Sequence, residues 1–376
     1  MRKFLCLCLC LTACLFLLSP IGPAQAADQI KFGLMGPITG DWASEGQGMQ
    51  RVVELLAEEI NAAGGINGAQ VVIEVADDGG APRTAAMAAR KLLTSSVVAV
   101  VGTYGSSVTE ATQDIYDEGG VIQIATGSTK ISLTGKGLTK FFRTCPRDDE
   151  QGRVLANNVK GLGFTKVALV HDNTSYSKGL ADETREILKN IGVSEVYYDS
   201  IVPNDRDYTV SLTKIKAANP DVIVFTGYYP EAGLLLRQKR ELGFDVPIIG
   251  GDATNNSSIV EIAGKEAADG YLFVSPPALP DMKSESAAKL MATYRQKYDS
   301  LPSSVWAVLA GDAFLVLVEA AKAVGPDPAK MSDWLKTGLK GFEGLSGSIA
   351  FDENGDRVGE VYRLYKISPE GEFVLQ

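Results

Sequence analysis

The chain has 376 residues, of which 45% are hydrophobic and 22% are charged. This composition excludes a disordered protein, and the length is too great for one ordinary core and fits two or three domains. The formal net charge of −10 speaks against a nucleic-acid partner, because phosphate binding needs clustered Lys and Arg.

The N-terminus has the pattern of a targeting segment. Arg2 and Lys3 precede a long apolar run, and the small residues of AQA at 24–26 offer a cleavage site, so we predict a secretory signal peptide over 1–26. Two alternatives stay open. LTAC, which ends at Cys14, resembles a lipobox and would give a lipid anchor, and an uncleaved leader would act as an anchoring helix.

Removal of the leader would leave Cys145 as the single cysteine. An exported protein with one cysteine has no internal disulfide, so its stability must come from core packing. One cysteine cannot build a thiolate metal site, and no His, Cys or Asp cluster has metal-ligand spacing. We therefore expect no metal and no cofactor.

Short apolar runs, rich in Val and Ile, alternate with stretches of helical periodicity. The runs are apolar on both faces, which is typical of strands in a parallel sheet covered by helices on each side. Sustained alternation of this kind predicts an α/β fold with right-handed crossovers. The predicted strands are 30–36, 70–77, 97–103, 121–126, 166–172, 196–202, 221–227, 247–252 and 270–275. The predicted helices lie near 45–63, 83–95, 107–118, 149–161, 178–190, 208–218, 231–242, 284–299, 305–324 and 330–340.

The tail departs from this alternation. Residues 345–368 predict a strand, a turn at DENGD and another strand. An antiparallel pair here fits an added sheet edge or a return crossing between domains. DENGD lacks the later Glu of an EF-hand, so we interpret it as a turn.

Hydroxyl side chains follow two successive predicted strands. YGSS brings Ser106 and Ser107 to a helix start, and GSTK brings Ser128 and Thr129 to the next strand end. Ligands of open α/β sheets bind at the carboxyl ends of strands, where unpaired backbone N–H groups suit an anion. Ser and Thr also cap helices without a ligand, but two such sites together favour a small shared anion such as a carboxylate. No glycine-rich phosphate loop ending in G-K-[ST] is present.

The second half of the chain carries aromatic and acidic side chains at its strand ends. Tyr176, Tyr228 and Tyr229 offer flat apolar faces with a polar tip. Asp252 could cap a helix or face a ligand ammonium, and with the hydroxyls it would complete a site for an amino acid. The one histidine, His171, has no G-x-S-x-G partner motif, so we expect no enzyme.

Six segments in order carry a family resemblance. They include GDWASEGQGMQ, VVGTYGSSVTEATQDIY, FFRTCPRDDEQGRVLA and IIGGDATNNSSIVEIAG. Together they resemble periplasmic branched-chain amino acid-binding proteins, the substrate-binding components of ABC importers. The resemblance implies a type I periplasmic binding fold, with two Rossmann-like lobes, three hinge crossings and closure over the ligand. By similarity, lobe 1 would comprise 28–146 and 276–357, and lobe 2 would comprise 147–275 and 358–376.

The resemblance also implies ligand contacts. Ser106 would hold the ligand carboxylate, Thr129 the carboxylate and the ammonium, and Asp252 the ammonium. Asp252 is one methylene shorter than the glutamate of leucine-type members, so lobe closure or a water would have to make up the reach. The full set implied by the resemblance is Ser106, Thr129, the backbone of Gly127 and Ser128, Tyr176, Tyr228 and Asp252.

Departures from the family pattern concern the pocket for the ligand side chain. Glu45 stands where the leucine-type protein has an aromatic residue, and Tyr104 stands where it has a leucine. Gly80 and Gly105 occupy the two positions of its disulfide. A carboxylate beside an aliphatic side chain costs desolvation free energy unless it is paired. Our hypothesis is that the ligand side chain is polar or cationic, or that Glu45 turns to solvent.

The sequence thus predicts a monomeric, periplasmic, non-catalytic solute-binding protein that delivers an amino acid to ABC permease subunits at the inner membrane. Closure on a hinge would create the form that the permease recognises. Selectivity would come from the pocket around Glu45, Tyr104, Tyr228 and Trp306. The alternatives are a receptor of the same fold that senses an amide or a small carboxylate, and a secreted hydrolase that uses Ser106 or Ser107.

Overall fold

The computed structural model describes residues 28–376. The predicted signal peptide at 1–26, with Cys14, lies outside the described residues. Within the described part of the chain, no helix is both long and apolar enough to cross a membrane.

Strands and helices alternate through most of residues 28–376, and all nine predicted strands and ten predicted helices form, with ends that differ by a few residues. The strands are β1 (Gln29–Gly36), β2 (Gln70–Asp77), β3 (Ala99–Val101), β4 (Ile122–Ala125), β5 (Phe141–Arg143), β6 (Lys166–His171), β7 (Ser194–Ser200), β8 (Val222–Phe225), β9 (Ile248–Gly250), β10 (Leu272–Ser275), β11 (Phe342–Glu343), β12 (Ser348–Ile349), β13 (Arg363–Ile367) and β14 (Phe373–Leu375). The helices are α1 (Ala43–Ala62), α2 (Pro82–Thr94), α3 (Ser106–Glu118), α4 (Asp148–Gly161), α5 (Ser175–Asn190), α6 (Thr209–Ala217), α7 (Tyr229–Glu241), α8 (Ser258–Ala263), α9 (Lys265–Ala268), α10 (Glu285–Tyr298), α11 (Val305–Val324) and α12 (Pro328–Thr337).

Two sheets with the same strand order form the framework. The first is all parallel in the order β2-β1-β3-β4-β5. The second begins β7-β6-β8-β9-β10, again all parallel, and continues with the antiparallel strands β13 and β14. In each sheet the first strand lies between the second and the third, which opens a crevice at its carboxyl end. The α/β prediction is therefore confirmed, and each sheet carries one such crevice.

The chain passes between the two sheets three times: after β5, after β10 and after β12. The second crossing, after β10, is explained by α11. This helix is apolar almost all round, and 15 of its 20 residues are buried. Helix α11 packs on α1 and against β3 and β4 of the first sheet. Burial of this helix brings the late part of the chain back to the first sheet.

The predicted hairpin in the tail is only partly correct. Phe351 and Arg357 form an isolated bridge around the DENGD turn, and the strands on either side do not pair with each other. Instead β12 pairs with β11, while β13 crosses to the second sheet and pairs with β10. The reason is burial, because Tyr365 and Ile367 of β13 become fully buried in the second core. Both alternatives are therefore realised, because the chain crosses back to the second sheet and β13 and β14 extend the edge of that sheet.

Candidate functional site

The predicted site residues lie in loops and helix starts that follow the carboxyl ends of strands in both sheets. All but the half-buried Gly127 are buried. Ring contacts join Tyr104 to Tyr228 and Tyr228 to Tyr176, whose hydroxyl donates to Asp252. By position, they are Glu45 after β1, Tyr104 and Ser106 after β3, Gly127, Ser128 and Thr129 after β4, Tyr176 after β6, Tyr228 after β8, and Asp252 after β9.

Hydroxyl groups and a helix start form the first wall of the site. Ser106 is the first residue of α3, and its Oγ accepts a hydrogen bond from the backbone N–H of Lys130 at 3.3 Å. The Oγ1 of Thr129 is buried and makes no hydrogen bond within the described residues. The turn into this wall requires glycine at Gly102, where φ is 118° and a Cβ would lie 1.9 Å from the carbonyl oxygen of Met35. This wall suits an anion.

The hydroxyl of Ser128 makes its contacts within the protein. It lies 2.6 Å from Oγ1 of Thr109 and donates to the carbonyl oxygen of Tyr104 at 3.0 Å. Those contacts hold the β4 loop against the loop after β3. The half-buried Gly127 packs against the ring of Tyr104, which a Cβ at this position would approach to 2.6 Å. The two loops are therefore packed directly on one another.

A buried carboxylate forms the opposite wall. Asp252 accepts hydrogen bonds from the phenol of Tyr176 at 2.9 Å and from that of Tyr362 at 2.6 Å. Burial raises the pKa of Asp252 to about 7, although these hydrogen bonds act in the opposite direction. Gly251 lets Tyr176 approach, because a Cβ there would lie 2.6 Å from its hydroxyl. Since both donors are neutral, a cation at Asp252 would be strongly favoured.

A second acid stands beside Asp252. Asp148, at the start of α4, accepts from the amide of Gln151 at 2.9 Å, and its backbone N–H donates to the carbonyl oxygen of Thr129 at 3.0 Å. Burial and then the charge of Asp252 raise the pKa of Asp148 well above its usual range. The contact with Thr129 ties the acidic wall to the hydroxyl wall.

Aromatic side chains fill the space between the walls. Trp42 stacks on Tyr228 with ring centroids 4.1 Å apart, and Tyr104 meets the edges of both rings at 5.6 and 5.8 Å. A cavity of about 260 Å³ adjoins this cluster and is lined by both rings of the stack. Trp42 lies against Gly80 and Gly105, where a Cβ would come within 2.8 and 3.0 Å of the indole. The indole thus takes the space that the resemblance gives to a disulfide.

Glu45 lies in the first turn of α1 and is completely buried, so the expectation that it turns to solvent is wrong. The amide of Asn256 donates to Oε1 at 2.6 Å, and the hydroxyl of Ser304 donates to Oε2. Burial raises the pKa of Glu45 to about 7, while these two hydrogen bonds lower it. The carboxylate of Glu45 therefore has polar but uncharged partners.

Side-chain contacts also link the loops and helices that follow strands of the two sheets. The Nζ of Lys130 lies 2.5 Å from Glu110 of α3 and donates to the hydroxyl of Ser175, in α5, at 2.8 Å. On the other side of the aromatic cluster, the hydroxyls of Ser44 and Tyr229 lie 2.9 Å apart. Lys130 is therefore paired and half-buried.

Several residues at the site were not predicted from the sequence. Trp42 and Asn256 follow strand ends and could have been found by the same rule that found Ser106. Asp148 begins a helix directly after β5, a strand of three residues that is too short for the periodicity to reveal. Tyr362 comes just before β13 and reaches Asp252 only because that strand joins the second sheet. No local signal in the sequence predicts that contact.

Comparison with known proteins gives consistent matches over nearly the whole chain. Residues 29–372 match the family described as periplasmic binding protein. The Leu/Ile/Val-binding protein BraC3 of Rhizobium johnstonii is 36% identical over 360 residues, which are 95% of this chain and 96% of that protein. LivJ of Streptococcus pneumoniae, solved in complex with isoleucine, has a TM-score of 0.86 and 33% identity, and covers 93% of this chain and 99% of its own. The leucine binding protein LivK of Thermotoga maritima also has a TM-score of 0.86, with 28% identity over 92% of this chain and 97% of its own.

These matches extend over both sheets and all three crossings. The type I periplasmic binding fold implied by the resemblance is confirmed by the close agreement with both solved structures. The matched proteins are binding proteins and not enzymes, which confirms the prediction of a non-catalytic chain. From the extent of the family match and from the relative that is 36% identical, we conclude that the chain belongs to the periplasmic binding protein family.

Proposed function

We propose that this protein is the extracytoplasmic solute-binding component of an ABC importer and that it binds an amino acid between two lobes. The observation that carries the proposal is Asp252, a fully buried carboxylate whose two side-chain donors are neutral tyrosines. An ammonium group is the partner that such a carboxylate lacks. The names of the relatives, which bind leucine, isoleucine and valine, support the same ligand class.

The opposite wall would hold the ligand carboxylate. Ser106 and Thr129 offer hydroxyl groups, and the start of α3 offers unpaired backbone N–H groups with a partial positive charge. The backbone of Gly127 and Ser128 borders the same wall. A zwitterion would thus bind with its carboxylate at the hydroxyl wall and its ammonium at Asp252.

The remaining residues would enclose the ligand. Tyr176 holds Asp252 in place and lies against Tyr228, with ring centroids 5.3 Å apart. Tyr228, Tyr104 and Glu45 would bound the pocket for the ligand side chain. Because all of these side chains are buried, a ligand between them would be largely desolvated, which strengthens its polar contacts.

We assign residues 28–146 and 276–357 to lobe 1 and residues 147–275 and 358–376 to lobe 2. The contacts of Lys130 with Ser175 and of Ser44 with Tyr229 would then join the lobes in the closed form. Ligand binding would favour closure, because the ligand contacts both lobes at once. The closed monomer would be recognised by permease subunits at the inner membrane.

Membership in the periplasmic binding protein family implies an extracytoplasmic location. We propose that residues 1–26 act as the signal peptide and that the mature protein is free in the periplasm. N-terminal sequencing of the exported protein tests this, since a start at Ala27 supports cleavage and a lipid-modified Cys14 contradicts it.

Calorimetric titration with the standard amino acids tests the proposed function. We expect one site per chain for an α-amino acid, and no measurable binding of the same ligand as its methyl ester or N-acetyl derivative. Those analogues remove one charge each from the zwitterion. Equal binding of the amino acid and either blocked analogue would exclude the proposed site.

A further inference from the structure

The proposed pocket for the ligand side chain contains two buried donors without a partner. The hydroxyl of Tyr104 and the indole N–H of Trp306 make no hydrogen bond with any described residue. Tyr104 and Trp306 are each 1% exposed, and their ring centroids are 6.1 Å apart. A buried donor without an acceptor is costly, so two such donors on neighbouring rings indicate a bound group that accepts hydrogen bonds.

Glu45 supplies an acceptor in the same cluster. It is the largest electrostatic influence on the phenol of Tyr104, whose pKa is raised well above its usual range by burial first and by Glu45 second. Ser304 links Glu45 to Trp306, because its hydroxyl donates to Glu45 and accepts the backbone N–H of Trp306 at 3.2 Å. The two carboxylate oxygens of Glu45 hold one donor each, and a carboxylate has about four lone-pair sites.

We infer that this subsite selects a neutral carboxamide side chain, an inference that rests on the proposed function. The carbonyl oxygen of the amide would accept from Tyr104 and Trp306, and its NH₂ group would donate to Glu45. Asparagine and glutamine are the amino acids with this chemistry. The ligand would therefore differ from the aliphatic ligands named for the relatives.

Other side-chain classes satisfy only part of the subsite. An aliphatic side chain leaves both donors of Tyr104 and Trp306 unpaired. A cationic side chain would pair with Glu45 but offers no acceptor to Trp306, whose indole can only donate. An acidic side chain would satisfy both donors but would bring a second carboxylate beside Glu45, where like charges repel. A carboxamide matches donors and acceptor together from separate atoms, whereas a hydroxyl side chain would have to serve both donors and Glu45 from one oxygen.

The shape of the subsite also favours a flat group. Tyr104 lies edge-on to Trp42, Tyr228 and Trp306, so three aromatic rings surround its own. A planar amide can slide between ring faces and edges at little steric cost, whereas a branched aliphatic chain needs more width. The flat shape and the hydrogen-bonding pattern thus indicate the same group.

Asparagine and leucine branch at the same carbon and differ in hydrogen-bonding groups and planarity, so they give the matched ligand pair for the test. We expect calorimetric titration to show the better of asparagine and glutamine binding about tenfold or more tightly than leucine. If leucine, lysine, aspartate or threonine bound more tightly than both asparagine and glutamine, the inference would be overturned. The proposed amino-acid site would still stand. Failure of every α-amino acid to bind would instead overturn the proposed function itself.

Two conservative variants test the residues. Tyr104→Phe and Trp306→Phe each remove one donor and keep an aromatic ring, and each should weaken amide binding about tenfold while changing leucine binding less than threefold. Tyr298→Phe, which alters a half-buried ring packed on Tyr294, serves as the matched control and should change neither affinity. An equal loss for asparagine and leucine in both variants would show a role in packing only and would overturn the inference. Thermal unfolding of each variant separates misfolding from a selective loss.

Discussion

Two buried regions of this molecule differ in the partners that surround their carboxylates, which are cationic in one and neutral in the other. Near the end of β5, Asp356 is paired with Arg143 and accepts from Arg147 at 2.8 Å. Burial alone would raise the pKa of Asp356, but these two arginines and the hydroxyl of Thr134 lower it below its usual value. This carboxylate is a charged structural anchor.

In the crevice, Asp252 and Glu45 are buried at least as deeply, but each is held by neutral donors. The pKa of each is raised to about 7, chiefly by burial. The chain thus supplies cations to the carboxylate that supports the fold and supplies none to the two in the crevice. This difference supports the proposal that Asp252 and Glu45 are left for a ligand to satisfy.

The largest effect is expected at the paired acid. Asp356→Ala would leave the fully buried Arg143 without its carboxylate, and loss of one partner of a buried pair costs about 3–5 kcal/mol of unfolding free energy. Denaturant unfolding measures this change. Asp114→Ala is the matched control, because Asp114 pairs with Lys136 at the surface and should cost less than about 1 kcal/mol. If Asp356→Ala and Asp114→Ala lost similar amounts of unfolding free energy, Asp356 would not be a structural anchor that differs from the carboxylates of the site.

The unpaired acid should show the reverse pattern. Asp252→Asn removes a carboxylate without a cationic partner, so we expect no loss of unfolding free energy. Ligand affinity should fall about 100-fold, because the ammonium group loses a charged partner, an effect of about 3 kcal/mol. Calorimetry and thermal unfolding of the same sample measure both quantities. The exposed Asp245→Asn is the control for the change of charge.

A large loss of stability in Asp252→Asn, with affinity unchanged, would show that Asp252 has a structural role like that of Asp356. A loss of both would indicate that Tyr176 and Tyr362 depend on this carboxylate to hold the wall together.

Much of this framework could be predicted from the sequence, because buried parallel strands and amphipathic helices leave strong local patterns. The rule that ligands bind after strand ends led to Ser106, Thr129 and Asp252, and the structure brings their walls together. Local patterns therefore predicted residues in each wall of the site, but not the contacts between the walls.

Contacts that depend on chain crossings could not be predicted. Glu45 was expected to face a ligand or solvent, yet it meets Asn256 and Ser304, which are more than 200 residues away in sequence. Asp356 sits in a turn whose sequence indicated nothing more, and its pairing with Arg143 spans 213 residues. Such long-range partners follow from the return crossings, which no local periodicity encodes.

The next largest effect is expected in the pH dependence of ligand affinity, through the titration of Asp252. Because the pKa of Asp252 is about 7 without a cation, the carboxyl must lose a proton to bind an ammonium group, so affinity should rise with pH up to about 7 and then level off. A single proton changes affinity by at most tenfold per pH unit, and we expect about tenfold between pH 6 and pH 8. The nearby Asp148, whose pKa burial and the charge of Asp252 raise well above its usual range, and the phenols of Tyr176 and Tyr362 add no positive charge.

Calorimetry at several pH values in wild type and in two variants measures this dependence. Asp252→Asn should abolish it, while Glu45→Gln should leave most of it in place, since Glu45 would not contact the ammonium group. Loss of the pH dependence in Glu45→Gln alone would assign the titration to the pocket of the ligand side chain.

The smallest effect is expected at the rim of the crevice, where a carboxylate does have a cation. Glu110 pairs with Lys130, and Ser175 joins this pair from the other side by donating to Glu110 at 2.6 Å. Ser175→Ala removes two hydrogen bonds that we expect only on closure, one accepted from Lys130 and one donated to Glu110. Because both lie at a partly exposed rim, affinity should fall about threefold, which is about 0.7 kcal/mol. High salt should weaken the wild type toward the variant, because this ion pair is partly exposed and therefore screened.

The exposed Ser286→Ala is the control for this rim variant, because it makes the same substitution at a helix start away from the crevice. Its affinity should equal that of the wild type at every salt concentration. A tenfold or greater loss in Ser175→Ala would mean that the paired rim, and not the unpaired acids within, provides most of the free energy of closure. The contrast between the two kinds of carboxylate would then describe the fold and not the binding of the ligand.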